Sequence, residues 1–578
     1  MIQVEKLSYG FPAKDLYKDI SFTLEKGQHL ALIGSNGAGK STLVDMMIHP
    51  DEYLYDGKII KDESCRIGYA SQFAVRDKEQ SCTVFEYLSE KFVENQKATV
   101  AVCEEMAVAE ETEALFETYQ GLLDAFEAMD GHHYESNIRK QLYVAGMREL
   151  EETKLSQLSG GEYKLLQIMR EMLLSQNLLI LDEPDVFLDF NNLNRLCQLI
   201  NGYKGTLLVI THNRYLLNHC FNKILHLENG DIQEYEGNYT EYRCSQLREK
   251  LKLKLQSIEE QEEIERTEKM VDTLRIKATT FANRTIGNAV NSKQKQLERL
   301  QARQIKTPFI EIREPKIDLP AVKPKSEHVV LSIKDYNISF DEDLLRNIHF
   351  ELTAGEKVAI VGANGTGKTT LMRDILKRNH PSIHIDETID YACLSQLLGE
   401  NTDETKTVYE TMADLGFDTV ESARGYLRQY CLEGDTLKQK VEQLSGGEKN
   451  LLQIAMIGAT KAELLILDEP TSHLDIYAQM AFEKAISEYR GAVLMISHDF
   501  YLVANCADHI LLVEENTIRR MRTRSFRKMV YDQYFDQTYL EIDKKKQELE
   551  ASITLAFKEN ELKMVEKLCD QLEAISAK

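Results

Sequence analysis

The chain reads itself twice, and this repeat constrains its fold more than any other feature. Leu32-Ile33-Gly34-Ser35-Asn36-Gly37-Ala38-Gly39-Lys40-Ser41-Thr42 returns as Ile360-Val361-Gly362-Ala363-Asn364-Gly365-Thr366-Gly367-Lys368-Thr369-Thr370. Gln157-Leu158-Ser159-Gly160-Gly161-Glu162 returns as Gln443-Leu444-Ser445-Gly446-Gly447-Glu448, and Leu178-Leu179-Ile180-Leu181-Asp182-Glu183-Pro184 as Leu464-Leu465-Ile466-Leu467-Asp468-Glu469-Pro470. The intervals repeat too: 23 residues separate Ser159 from Asp182 and Ser445 from Asp468, and 30 separate Asp182 from His212 and Asp468 from His498. Shared spacing over such distances means a duplicated domain. One interval differs. Gln72 to Ser159 is 87 residues where Gln396 to Ser445 is 49, so the first copy carries 38 extra residues within about 83–154. Their Glu, Ala and Leu content, with apolar positions three and four apart, predicts helices, forming either an enlarged helical subdomain or a partner-binding arm.

Each copy holds Gly-x-x-x-x-Gly-Lys-Ser/Thr between an apolar strand and a predicted helix. In that pattern glycines let main-chain N–H groups wrap phosphate oxygens, and the helix N-terminus adds a favourable dipole. Gly34, Asn36, Gly37, Gly39, Lys40, Ser41 and Thr42 form one candidate nucleotide-binding set, and Gly362, Asn364, Gly365, Gly367, Lys368, Thr369 and Thr370 the other. Lys40 and Lys368 would hold the β- and γ-phosphates, with Ser41 and Thr369 as magnesium ligands. An apolar strand ending in Asp-Glu supplies a metal-positioning carboxylate, Asp182 or Asp468, and a second carboxylate, Glu183 or Glu469, as base on the attacking water. His212 and His498 follow another apolar strand, which sets an imidazole at the sheet edge where the γ-phosphate lies.

The 578 residues carry a net charge of −24, and 43% are hydrophobic, which fits several globular domains and excludes disorder over most of the chain. No apolar run is long enough to cross a bilayer, and Met1-Ile2-Gln3-Val4-Glu5 does not open a signal peptide, so a cytoplasmic location is expected. Ten cysteines without a close pair argue against zinc ribbons and a disulfide framework and point to free thiols.

The acidity is unevenly spread. Between the copies, Ser245–Glu268 and Ser292–Gln304 predict two helices folded back on each other, with the Thr-, Asn- and Gly-containing stretch 269–290 as the turn region. From Lys269 to Lys306 there are nine cations, among them Arg275, Lys277, Arg284, Lys293 and Lys295, against Asp272 and Glu298, a net +7. Such a basic hairpin suits nucleic-acid phosphates, where released counterions make binding salt-dependent. Ile276, Phe281 and Ile286 add apolar groups at the turn. After the second copy, an arginine run from Arg519 to Arg527 leads into a helical tail.

Taken together the motifs resemble the ATP-binding-cassette superfamily, whose signature is LSGGE. The resemblance implies two cassettes that sandwich two ATP molecules head to tail, with Ser159 and Gly161 capping the nucleotide held by Lys368, and Ser445 and Gly447 the one held by Lys40. By position, Gln72 and Gln396 match the family's Q-loop glutamines, at nucleotide and metal, and Asp189 and Asp475 its D-loop aspartates. Tyr9 and Phe340 match the aromatic that stacks on adenine, Phe11 being spaced equally well to serve in place of Tyr9. Two cassettes in one chain with a charged helical linker further resemble the ABC-F family, as does the wording Tyr235-Glu236-Gly237-Asn238-Tyr239-Thr240-Glu241-Tyr242 ahead of that linker.

What this resemblance implies is an α/β fold: two P-loop ABC ATPase domains in tandem, over 1–243 and 328–517, an α-helical hairpin linker over 244–327, and a C-terminal helical extension over 518–578. It implies hydrolysis of ATP with Mg2+, and the ribosome as partner, with the linker reaching rRNA and P-site tRNA near the peptidyl-transferase centre. A monomer holding the cassette sandwich within one chain is expected, with no membrane partner. The role implied is ribosomal protection against antibiotics, with a general factor for stalled ribosomes as the alternative and a transporter's ATPase subunit as a more distant one. The copies also diverge. Pro184-Asp185-Val186-Phe187-Leu188-Asp189 stands against Pro470-Thr471-Ser472-His473-Leu474-Asp475, and Asn213 against Asp499, which predicts unequal sites.

Overall fold

In the computed structural model, the described residues are 2–11, 14–62, 65–71, 81–108, 113–174, 177–186, 188–281, 284–303, 314–320, 328–339, 343–378, 380–394, 403–534, 537–559 and 561–576. They divide into two units. One comprises Met1–Glu234 with Arg313–Phe535, and the other Tyr235–Ile312 with Asp536–Lys578.

The first unit holds both sequence copies, each built on the same pair of sheets. In the first copy, strand Ile2–Phe11 lies between Lys14–Leu24 and Asp56–Lys61, antiparallel to both. A second, six-stranded sheet runs Ile67–Ala70, Leu178–Asp182, Thr206–Ile210, His29–Ile33, Lys223–Glu228, Asp231–Glu236. Leu178–Asp182 and Thr206–Ile210 are buried at every position, as parallel strands covered on both faces must be, and so read as apolar runs without alternation. The second copy repeats the order as Tyr391–Leu394, Leu464–Asp468, Ala492–Ile496, Lys357–Gly362, His509–Glu514, Thr517–Arg522. Each copy has its own apolar core between its sheets and the helix that follows the phosphate loop.

The extra residues of the first copy form helices Val84–Met106, Glu113–Ala128 and Tyr134–Val144. A lone antiparallel bridge, Thr83 with Lys154, closes their base, and Thr407 with Lys440 closes the same neck in the second copy. The first neck spans 71 residues and the second 33, so the whole 38-residue difference is hung from one point.

Two expectations are corrected. Residues 269–290 do not form a broad turn: helix Tyr239–Phe281 runs 43 residues, and the return helix starts at Arg284. Thr and Asn are weak helix formers, yet Ile264 and Val271 on the first helix and Leu297 on the second are buried, and tertiary burial overrides propensity. Thr267 and Thr273 donate their hydroxyls to the carbonyls of Glu263 and Lys269 at 2.8 and 2.7 Å, which satisfies them inside the helix. The helical extension expected from 518 opens as a strand: Thr517–Arg522 pairs antiparallel with His509–Glu514 and edges the second sheet. Arginines at an edge are compatible with a ladder that only one side must complete. Helices Thr523–Tyr534, Gln537–Lys558 and Leu562–Ser576 follow, the first assigned to the cassette unit and the other two to the linker unit.

Within the second unit, Cys244, Leu247 and Leu251 of the long helix meet Ile553, Val565, Leu568 and Leu572 of the tail in one apolar cluster. Arg248 adds ion pairs to Asp570 at 2.8 Å and Glu573 at 2.5 Å. The linker and the tail therefore share one core.

Candidate active site

Strand register gathers the predicted residues. Leu32 and Asp182 both pair with Ile210, so the chain leaves one edge of the sheet at Gly34, Glu183 and Thr211-His212. In the second copy Ile360 and Asp468 both pair with Ile496, with the same result. This edge is the carboxyl end of a parallel sheet at its switch point, where such folds bind ligands.

Each phosphate loop curls around its own lysine. Lys40 Nζ donates to the carbonyls of Gly34 and Ser35 at 2.9 and 3.0 Å, and Lys368 Nζ to those of Gly362 and Ala363 at 2.8 and 2.6 Å. Both lysines are buried, and burial pulls their pKa below the usual value, against the carboxylates of Asp475 and Glu183 for Lys40 and of Glu469 and Asp189 for Lys368. Gly39 has φ +100° and its carbonyl accepts the Tyr17 hydroxyl at 2.5 Å; a Cβ there would press on that phenol at 2.7 Å.

Burial raises the carboxyl groups. It lifts Asp182, against a hydrogen bond from the Ser41 hydroxyl. Glu183 is pushed up to about 7, by burial first and then by Asp185 and Asp182. Glu469 is pushed up to about 8, again by burial first, while the main-chain N–H of His498 donates to its Oε2 at 3.2 Å and opposes the rise. Glu183 and Glu469 stand at φ +46° and +49°, a left-handed conformation that costs a non-glycine residue roughly 1–2 kcal/mol. Each is pinned by its main-chain N–H, donated to Ile210 or Ile496 at 2.9 Å. Burial also lowers the histidines, His212 well below its usual range beside Lys40 and His498 to about 4 beside Lys368, so both are neutral near pH 7. His498 Nε2 lies 3.1 Å from Asn364 Oδ1. Both ring nitrogens of His212 are buried and without a hydrogen-bond partner among the described residues.

These groups fit a nucleoside triphosphate with a divalent ion. A buried ammonium and an orphaned imidazole beside each other are matched to phosphate oxygens, and Asp182 with Ser41 offers hard oxygen donors. Among the described residues no three His, Cys, Asp or Glu side chains cluster to hold a metal alone, so further ligands would come from the nucleotide.

The cassettes contribute to each other's sites. The Asn36 N–H donates to Asp475 Oδ2 at 3.0 Å, and its side-chain amide to the His473 carbonyl at 2.9 Å. Reciprocally, the Asn364 N–H donates to Asp189 Oδ2 at 3.0 Å. The other oxygens of Asp189 and Asp475 cap the helices that follow, accepting from Asn192 and Ala478. The signature motifs are helix starts: Ser159 with Glu162 and Ser445 with Glu448 form capping boxes, which accounts for the glutamate in LSGGE. A Cβ on Gly447 would overlap Asn36 Nδ2 of the opposite loop, whereas one on Gly161 would meet Asn192 of its own cassette. A cavity of about 430 Å³ between the cassettes is lined by Lys368, Thr369, Glu469 and His498 together with Glu183, His212 and Arg214.

Arg214 is one residue that sequence reasoning missed. It is 9% exposed, donates across the seam to Glu483 at 2.7 Å, lies 3.7 Å from Asp499, and stacks 4.4 Å over the Tyr501 ring. At the equivalent position of the other copy, Phe500 packs edge-on against Phe190 at 5.6 Å. Lys164 was also missed. Buried, it donates to the Glu183 carbonyl at 2.9 Å. Position-by-position comparison of the copies would have found both, since Arg214 stands against Phe500 and Lys164 against Asn450.

Of the other expected residues, Tyr9 is half-buried with Tyr53 and Phe11 edge-on at 5.6 Å each, and Phe11 is the exposed ring. Gln72, Gln396 and Phe340 lie outside the described residues. In the second unit Arg275, Lys277 and Lys295 are exposed, Arg275 Nη2 donating to Gln294 at 2.8 Å and Lys293 Nζ to Gln296 at 2.8 Å; Arg284 begins the return helix. Among the described residues no helix is long and apolar enough to cross a membrane.

A family model described as ABC transporter matches residues 17–186 and 345–472, and a second of the same description matches 225–319. The ATP-binding protein YdiF of Bacillus subtilis is 31% identical over 572 residues, covering 96% of this chain and 86% of the relative. The energy-dependent translational throttle protein EttA of Escherichia coli K12 is 29% identical, covering 86% of this chain and 89% of its own. ABC transporter F family member 5 of Arabidopsis thaliana is 28% identical, covering 89% and 75%. Among solved structures, the archaeal ribosome recycling factor aABCE1, in complex with the stalk protein aP1, superposes with a TM-score of 0.55 at 17% identity over 92% of each chain, a likeness of fold. With its duplicated cassettes, reciprocal aspartate contacts and intervening helical hairpin, the chain belongs to the ABC-F family of the ATP-binding-cassette superfamily and is an ATPase.

Proposed function

We propose that the chain is a ribosome-associated translation factor of the cytoplasm, in which two composite ATP sites set the position of the basic helical hairpin. The observation that carries the composite sites is the reciprocal pair Asn36 to Asp475 and Asn364 to Asp189, which ties each phosphate loop to the opposite cassette. In this reading Glu183 and Glu469 accept the proton of the attacking water, and their raised affinity for protons suits that task near neutral pH. Neutral His212 and His498 hold the γ-phosphate by ring N–H donation, and Lys40 and Lys368 bind the β- and γ-phosphates. Ser41 with Asp182 and Gln72, and Thr369 with Asp468 and Gln396, hold Mg2+, which when bound offsets charge on the phosphates. Ser445 and Gly447 cap the nucleotide on Lys40, and Ser159 and Gly161 the one on Lys368, through helix N-termini.

The partner follows from charge. A chain of −24 that exposes Arg275, Lys277 and Lys295 on a helical hairpin presents cations where RNA phosphates would attract them, while its acidic remainder repels phosphate elsewhere. The name of EttA, a translational throttle, supports the same partner. ATP binding inserts the hairpin toward rRNA and P-site tRNA near the peptidyl-transferase centre, and hydrolysis releases it. Ile276, 67% exposed, and Met270, 50% exposed, offer apolar contacts for bases or a drug pocket, and the role we infer is ribosomal protection against antibiotics, with general rescue of stalled ribosomes as the alternative.

Sedimentation of a Glu183→Gln, Glu469→Gln double variant with ribosomes through sucrose tests the reading: co-sedimentation that requires ATP is expected, and its absence overturns it. Growth of a drug-sensitive host expressing the chain, across pleuromutilins, lincosamides, streptogramins, macrolides and phenicols, tests the protective role. Protection against none of them leaves the rescue role.

A further inference from the structure

The helix Gly160–Leu173 starts at the signature serine and carries Lys164 on its second turn. Lys164 is buried beneath the loop that bears Glu183, and its Nζ donates to the Glu183 main-chain carbonyl at 2.9 Å. That carbonyl belongs to the left-handed residue at φ +46°, a conformation that persists only where surrounding contacts impose it. The ammonium is balanced by the half-buried Asp185, whose Oδ1 accepts the Thr211 hydroxyl at 2.6 Å one residue before His212.

The second copy builds the same connection from neutral parts. Asn450 replaces Lys164 and donates its amide to the carbonyls of Pro470 and Ser472 at 3.0 and 2.7 Å; Thr471 replaces Asp185. The two changes go together because a buried ammonium or carboxylate left alone is costly. What both copies keep is a side-chain donor on the signature helix that bonds the main chain of the catalytic loop. A residue needed only to fill space would not preserve a donor through a change of charge, length and partner.

We propose that Lys164 is a positioning residue for catalysis: by bonding the Glu183 carbonyl it holds the Glu183 carboxylate in line with the water at the Lys40 site, the role that Asn450 fills for Glu469. This rests on reading Glu183 as the base. It adds that the base is set in place from the signature helix and that the first site does so with a charge pair, Lys164 with Asp185.

Steady-state ATPase kinetics and melting temperature of the full chain test this in a Glu469→Gln parent, where turnover comes from the Lys40 site and which serves as the native reference, with Lys164→Met, the Lys164→Asn, Asp185→Thr pair and Glu183→Gln measured together. Lys164→Met should lower kcat about tenfold or more, since small misplacements of reacting groups carry such penalties, with KM for ATP within twofold of native. The Asn/Thr pair, which transplants the second copy's wording, should return kcat to within about threefold. Native kcat in Lys164→Met refutes the role, and so does an Asn/Thr pair that melts and binds a fluorescent ATP analogue like the native chain but turns over no faster than Lys164→Met. Should Lys164→Met not fold, the Asn/Thr pair decides alone: near-native kcat supports the role, and a folded, nucleotide-binding but slow enzyme overturns it. If Glu183→Gln leaves kcat unchanged, the base assignment fails, whatever Lys164 does.

Discussion

Replacing Arg214 by Met should weaken the closure of the two cassettes by an amount the structure lets one work out. The guanidinium is 9% exposed, with Glu483 at 15% and Asp499 at 16%, so all three charges sit largely out of water at the seam. Met keeps the packing volume but leaves two carboxylates facing each other without a cation. Breaking a buried pair in this way costs about 3–5 kcal/mol; the lower figure is apt because the carboxylates retain some solvent and Asp499, already raised by burial, can take up a proton. A loss of about 3 kcal/mol in the closed state is roughly a hundredfold in its population. If ATP binding is coupled to closure, the ATP concentration for half-maximal turnover should rise by up to that factor. Glu483→Gln in the Arg214→Met background should recover part of the loss, with a coupling of about 2 kcal/mol in the double-mutant cycle. Arg214→Met with half-saturation within threefold of native, or a cycle additive to about 0.5 kcal/mol, would show that the Arg214 ion pairs are not part of closure.

The folded chain holds Glu183 and Glu469 protonated up to about 7 and 8, above the ordinary 4.5, and above about pH 6.5 His212 and His498 are neutral both folded and unfolded, so from there to about pH 8 the two glutamates make the folded chain bind more protons and its stability falls as pH rises. The melting temperature should therefore drop over that window and flatten in the Glu183→Gln, Glu469→Gln variant, while native kcat should rise with pH over the same range. Ile553, fully buried between tail and linker, should cost about 2–5 kcal/mol as Ile553→Ala, read by thermal melting of helical circular dichroism; no change would mean the tail does not brace the linker. Charge reversal of Arg275 and Lys277 should weaken ribosome co-sedimentation and reduce the slope of log affinity on log salt by roughly 0.7–0.9 for each phosphate no longer neutralised; an unchanged slope would separate these residues from RNA.

The duplicated motifs disclosed most of each site, because phosphate loops, strand-end carboxylates and capped signature helices are local features with their own residue wording. The resemblance marked Asp189 and Asp475 as D-loop aspartates but not their reach into the opposite loops, since no local pattern encodes a hydrogen bond between residues 439 positions apart. Lys164 and Arg214 stayed hidden because a lone cation in sequence reads as a surface group, and here each is buried against a partner visible only in the fold. The strand Thr517–Arg522 was misread for a related reason. Its arginines fall on both faces of an edge, which erases the apolar alternation that identifies a strand. The linker helix outran its expected end because Ile264 and Val271 are buried, a gain that propensity does not contain.

The seam at Arg214 bears on how a duplicated protein keeps its halves in order. Glu483 and Asp499, which receive the arginine, correspond in the first copy to Cys197 and Asn213, and Arg214 itself corresponds to Phe500. Two first copies brought together would confront each arginine with a thiol and an amide, and two second copies would bury pairs of carboxylates against phenylalanine. Only unlike copies supply both a cation and its acceptors, so like-with-like pairing is penalised twice by uncompensated charge. The divergence of these few positions turned an interface that began as self-complementary into a lock and its key.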